Sequence, residues 1–209
     1  MAHDVVTFTT ADGVALEGLL AVPPDAWGAA VICHPHPQFG GSMRAPLLVA
    51  IAEGLDRIGV AVLRFNFRGV ERSGSVHADG SLEHLDVAAA VSHLSGLVPG
   101  IGVTVVGWSF GADLAATVDD AVVNGWILVA APLRSIPPAE MATATDRRAK
   151  HLIVPEHDQF LSPEDARTAV ADWPNTTVQV LLDCDHFLAG ATAEVRESIA
   201  AVIRQLALA

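Results

Sequence analysis

Three short stretches of this 209-residue chain carry a hydroxyl, a carboxylate and an imidazole, in that order. They are GWSFG, centred on Ser109, PEHDQF with Asp158, and DCDHF with His186. A serine hydroxyl is a poor nucleophile until a base removes its proton. Imidazole suits that task near neutral pH. A carboxylate behind the imidazole holds its tautomer and stabilises the imidazolium. Together the three would carry out acyl transfer at a carbonyl carbon.

The spacing of the first stretch adds to this reading. Gly107 and Gly111 lie two residues before and two after Ser109, the G-x-S-x-G pattern of a tight strand-to-helix turn. Such a turn lifts the serine Oγ above a sheet, and side chains at the two glycine positions would collide with neighbouring backbone. The order Ser, Asp, His also matches one known ordering of these groups. Asp183, Asp185, Glu156 and Asp165 compete with Asp158 as the acid. A residue in the histidine's own short loop is badly placed to reach the far ring nitrogen, so Asp158 is the expected partner and His157 a bystander.

A carbonyl oxygen that becomes negative needs hydrogen-bond donors. The N–H of Phe110, next after the serine, is one candidate. The other should come from HPHPQFGG, residues 34–41. Its prolines have no N–H, which leaves His36, Gln38 or Phe39, with His36 favoured. His34-x-His36 could also be read as a metal-ligand pair, but no third ligand suggests itself, and no metal or other cofactor is expected. Phe39, Trp108, Phe110, Phe160 and Phe187 are candidate walls for a substrate, although a residue of this kind is more often core than pocket.

These groups are useful only if the fold gathers them. Apolar runs at 5–9 and 15–21 flank the turn Ala11-Asp12-Gly13 and read as a hairpin. Further short runs at 29–33, 60–65, 103–106, 125–130, 152–155 and 178–182 read as strands. Helical spacing occupies 46–58, with Gly59 beyond its end, and 193–206. Ser81 is placed to cap a helix through Leu94, and Ser162-Pro163 to start another. Strand and helix alternate from the third strand onward, which predicts a mostly parallel, doubly wound α/β sheet behind an antiparallel hairpin, all one domain over 1–209. In such a sheet functional groups collect outside the strands' carboxyl ends. Ser109, Asp158 and His186 each follow a separate strand on that edge.

Composition narrows the classes. Hydrophobic residues make up 51% of the chain and the mean hydropathy is +0.42. The longest apolar runs, such as GWILVAAPL, are fewer than ten residues, against the roughly 20 that cross a bilayer. No membrane role is expected, and the N-terminal stretch lacks a signal-peptide pattern, which makes cytoplasmic the expected location. A net charge of −12 argues against nucleic acid or anionic membrane as partner and leaves a small-molecule substrate. Cys33 and Cys184 show no metal or disulfide spacing.

HPHPQFGGSM, LRFNFRGVERSGS, VVGWSFGA and DCDHFLAG together resemble the α/β-hydrolase superfamily, and within it the small, lidless, dienelactone-hydrolase-like serine esterases. These segments span nearly the whole chain. The resemblance implies an eight-stranded sheet without a cap and cofactor-free hydrolysis of small or short-acyl esters by Ser109, Asp158 and His186. It places the 34–41 loop on the oxyanion side and gives Arg64, Asn66, Arg68 and Gly69 a bracing role. Its strand order puts Cys33 and Cys184 four strands apart, about 20 Å and beyond disulfide reach. Two departures stand out. Glu71 and Arg72 follow RFNFRGV where relatives tend to have glycine, and the nucleophile is serine where dienelactone hydrolases proper have cysteine. Only 132–150 separates two strands where relatives often insert a lid. A thioesterase or peptidase-like hydrolase, with Arg44, Arg68 or Arg72 holding an acidic group, is the alternative. A catalytically idle binding scaffold is a third.

Overall fold

The computed structural model describes residues 3–208. Eight strands form one sheet: β1 Asp4–Thr9, β2 Ala15–Ala21, β3 Gly28–Cys33, β4 Val60–Phe65, β5 Val103–Trp108, β6 Val123–Val129, β7 Ala149–His157 and β8 Thr176–Asp185. Their spatial order is β1-β2-β4-β3-β5-β6-β7-β8. β1 and β2 pair antiparallel, β2 meets β4 antiparallel, and every later pairing is parallel. Five helices connect them: α1 Pro46–Arg57, α2 Glu83–Leu97, α3 Phe110–Ala115, α4 Pro163–Ala169 and α5 Thr192–Ala207. The expected architecture is therefore the observed one.

The apolar composition follows from this layering. β3 and β4 are buried at every residue because helices cover both faces of the sheet. Alternation along each strand divides the core in two. Ala29, Val31 and Cys33 face a core built with α2 and α3, whereas Ala30 and Ile32 face one built with α1 and α5. Both cysteines are buried free thiols. No helix among the described residues is long and apolar enough to cross a membrane.

Three local expectations need correction. Ser81 does not cap α2, because its hydroxyl donates to the Ala78 carbonyl and the helix starts at Glu83. The buried Glu83 carboxylate organises this turn instead, accepting from the N–H groups of Ala78 and Gly80. Residues 112–118 read as the helix leaving the serine turn, whereas that helix starts at once, at Phe110, and ends at Ala115. Cys184 lies within β8, which runs three residues beyond the apolar stretch because Cα pairing with β7 continues to Asp185.

The resemblance-based bracing role of 64–69 has a physical form. The Arg64 guanidinium donates to the Met43 carbonyl, and Asn66 Oδ1 accepts from the Met43 N–H. Arg68 is buried and donates to Asp86 on α2 and Asp12 in the hairpin turn. A Cβ on Gly69, at φ +73°, would stand 2.4 Å from the His77 nitrogen. Glu71, also at positive φ, pairs with Arg44 at 3.0 Å and accepts from Asn66. Glu71 thus adds one more tie to the same knot.

Candidate active site

The site is built where β5 turns into α3. Ser109 has φ 54° and ψ −122°, a conformation that costs a non-glycine residue on the order of 1–3 kcal/mol. Its N–H donates to the Val129 carbonyl on the neighbouring strand, and its own carbonyl accepts from Ala112 and Asp113 in the first turn of α3. The flanking glycines make the turn sterically feasible. A Cβ on Gly107 would sit 2.2 Å from the Gly111 carbonyl oxygen, and one on Gly111 would sit 2.5 Å from the carbonyl oxygens of Cys33 and His34.

The strand ends of β7 and β8 bring the other two groups. His186 Nε2 lies 2.9 Å from Ser109 Oγ. Its Nδ1 lies 2.9 and 3.0 Å from the two Asp158 carboxylate oxygens. Asp158 is held in turn by the N–H groups of Phe160 and Leu161, which donate to Oδ1. The Asp158 side chain is 1% exposed and that of His186 is 6%. With Asp158 accepting at Nδ1, the tautomer that leaves Nε2 free to take the serine proton is the favoured one.

The competing acids face elsewhere. Glu156 accepts from the Asp183 N–H, Asp185 accepts from the Phe187 N–H, and Asp165 accepts from the Ser162 hydroxyl. His157 is exposed and lies 3.8 Å from Glu156.

The 34–41 loop reaches the same place. Gln38 N–H donates to His36 Nδ1 and Phe39 N–H to the His36 carbonyl, so both are committed within the loop. Among the described residues, the N–H groups of His36 and Phe110 have no protein acceptor. The His36 and Phe110 rings lie 4.7 Å apart, so the two uncommitted donors belong to adjoining residues at the cleft. Burial and the nearby His77 lower the His36 pKa, favouring the neutral ring.

His34 is structural. Its Nε2 accepts from the Phe67 N–H, which puts the proton on Nδ1, donated to the Pro35 carbonyl at 2.6 Å. Both nitrogens are occupied, so the His34-x-His36 pair cannot chelate a metal. Two other groups are close enough to share an ion: His36 with His77 and Asp79, and Glu156 with His157 and Asp183. In the first, His77 already stands between the carboxylates of Asp79 and Glu83, at 3.0 and 2.8 Å.

A cleft of about 270 Å³ opens over Ser109 and His186. Phe39, Trp108, Phe160 and Phe187 line it, with Phe110. Phe39 is 85% exposed and Phe187 63%, so these two rings form a rim, whereas Phe110 is part of the core. Among the described residues no cap lies above it; residues 130–148 between β6 and β7 hold only single 3₁₀ turns at Pro138–Glu140 and Ala142–Ala144.

Three lining residues lie outside the motifs, Pro132, Arg134 and Ser135, and one of them is charged. Arg134 borders the cleft, and its guanidinium lies 4.5 Å from the centre of the Phe160 ring. The arginines singled out as candidates for an acidic group are not cleft residues. Arg68 is buried between two aspartates and Arg44 is paired with Glu71, while Arg72 does not line the cleft.

No family model matches the chain. It is 26% identical over 180 residues to the uncharacterized protein RP471 of Rickettsia prowazekii, covering 81% of this chain and 76% of that one. An alpha-beta serine hydrolase homologue from Coxiella burnetii superposes with a TM-score of 0.85 at 25% identity, over 97% of this chain and 98% of the other. XC6422 of Xanthomonas campestris, a serine hydrolase without a lid, shares the fold with a TM-score of 0.82 at 24% identity, over 98% and 95% of the two chains.

Proposed function

We propose that this chain, a member of the α/β-hydrolase superfamily without a lid, is a serine hydrolase that cleaves small or short-acyl carboxylic esters. One observation carries the reading: a continuous hydrogen-bonded path from Ser109 Oγ through His186 to Asp158, assembled from three strand ends. In the proposed reaction Ser109 Oγ attacks the ester carbonyl carbon as its proton passes to His186 Nε2. Asp158 stabilises the imidazolium. The oxyanion takes the N–H groups of Phe110 and His36. The tetrahedral intermediate collapses, the C–O bond to the alcohol breaks, and His186 returns the proton to the departing oxygen. Water then attacks the acyl-enzyme by the same path, releasing the acid and restoring the serine hydroxyl.

The preference for small esters is supported by the cleft. Its modest volume and aromatic rim offer apolar contact near the scissile bond, and no cap encloses a long chain. The test is labelling with a fluorophosphonate probe, followed by rates on a series of acyl lengths. Wild type should label, Ser109→Ala should not, and acetyl or butyryl esters should outpace long-chain ones. A wild-type protein that takes up no probe refutes the nucleophile, and faster long-chain hydrolysis refutes the substrate range.

A further inference from the structure

We infer that Arg134 selects esters bearing a carboxylate on the acyl chain, so that the substrates are half-esters of short dicarboxylic acids. This rests on the hydrolase reading above and narrows it. Arg134 is the one permanently charged side chain on an otherwise aromatic and proline-rich cleft. In such pockets the few polar groups set orientation and specificity.

The guanidinium is uncommitted. Among the described residues it makes no hydrogen bond or ion pair, and its contact is the face of Phe160. Acidic residues outnumber Lys and Arg 24 to 12, and Arg44, Arg68 and Arg148 are each tied to carboxylates. Of the arginines without an acid among the described residues, Arg134 is the one that lines this cleft, where it is placed to receive an acid from outside. Stacking on Phe160 leaves its N–H edge free to grip a carboxylate through two parallel hydrogen bonds.

Its position is built by the fold. Asp113, fully buried on α3 one turn from Ser109, accepts from the N–H groups of Leu133, Arg134 and Ser135 at 2.9, 3.0 and 2.9 Å. Ala130 and Leu133 take up positive φ, 46° and 49°, to make the bend. Strain of this kind in non-glycine residues persists only where surrounding contacts enforce it. The Phe160 ring relates the arginine to the reacting groups, with its centre 4.3 Å from that of His186 and 4.5 Å from the guanidinium carbon. A chain of a few methylene groups spans such a gap. One guanidinium matches the single charge and two oxygens of a carboxylate; a phosphate monoester would bring a second charge and a third oxygen with no partner.

The experiment compares monoethyl glutarate with its neutral isostere, in which an isopropyl group replaces the carboxylate, by titrating released acid at constant pH. Wild type should favour the half-ester. Arg134→Gln should lower the ratio of the two kcat/KM values by about tenfold or more, mainly through KM, and Arg134→Lys should restore part of it. A ratio unmoved by Arg134→Gln, or a wild-type preference for the neutral ester, overturns the inference while leaving the hydrolase reading intact. If neither ester is cleaved, Ser109→Ala is titrated with monoethyl glutarate by calorimetry. Saturable binding that Arg134→Gln weakens about tenfold supports the anion site, and no binding refutes it.

Discussion

Acid should loosen this protein at a particular histidine. His34 is fully buried, and burial depresses its pKa from 6.5 to about 4. Its Nε2 accepts from the Phe67 N–H, so a proton there would set two donors face to face. The folded state therefore favours the neutral ring. For a depressed pKa, the stabilisation is complete above the unfolded value of 6.5 and is lost as pH falls through the folded value. Near pH 5 the unfolded chain binds about 0.9 more proton at this site, a slope of about 1.2 kcal/mol per pH unit. Between pH 7 and pH 4 the loss comes to about 3 kcal/mol. Carboxylates titrate over part of this range, so the measurement is a difference. Urea unfolding of wild type and His34→Gln from pH 7.5 to 4.5 should give a shallower decline for the variant, by about that slope near pH 5. Parallel pH profiles would refute the reasoning, because they would mean that the ring titrates alike in both states.

Asp158→Asn is expected to lower kcat by about four orders of magnitude through the wrong imidazole tautomer, with the fold unchanged by circular dichroism. Asp183→Asn and Asp185→Asn should stay within a few-fold, and the reverse pattern in ester hydrolysis would move the acid to the histidine's own loop. Gly111→Ala should abolish fluorophosphonate labelling and lower Tm, since the new Cβ would lie 2.5 Å from two carbonyl oxygens. Wild-type labelling by this variant would show that the turn can relax.

Much of the architecture was legible because it rests on local signals. β3 is an unbroken apolar run, β4 and β6 are apolar runs interrupted once each, by Arg64 and Asn124, and α1 shows its buried stripe directly in Leu47, Leu48, Ile51 and Leu55. The gathering of Ser109, Asp158 and His186 followed from topology, since parallel strands deliver their carboxyl ends to one edge. What stayed hidden depends on side chains reaching across the fold. Ser81 looked like a cap because the buried Glu83 carboxylate that organises the turn cannot be told from a surface acid in sequence. Arg134 lies in a stretch without motif or period, and its bend is set by Asp113, 20 and more residues earlier in the chain. The role of His34 likewise depends on Phe67, 33 residues away. A signal for Arg134 did exist: it stands just beyond a strand on the functional edge, where every residue merits inspection.

The Asp113 carboxylate has a consequence for how this protein can change. It grips residues 133–135 by their main-chain N–H groups, with a side-chain bond from Ser135 besides and none from the side chain at 134. The bend is thereby indifferent to which side chain position 134 displays. That position works as an interchangeable socket: the chemistry it shows the cleft can be swapped while the loop's path and the serine turn stay as they are. A lineage, or a protein engineer, could retune what this scaffold accepts through one codon.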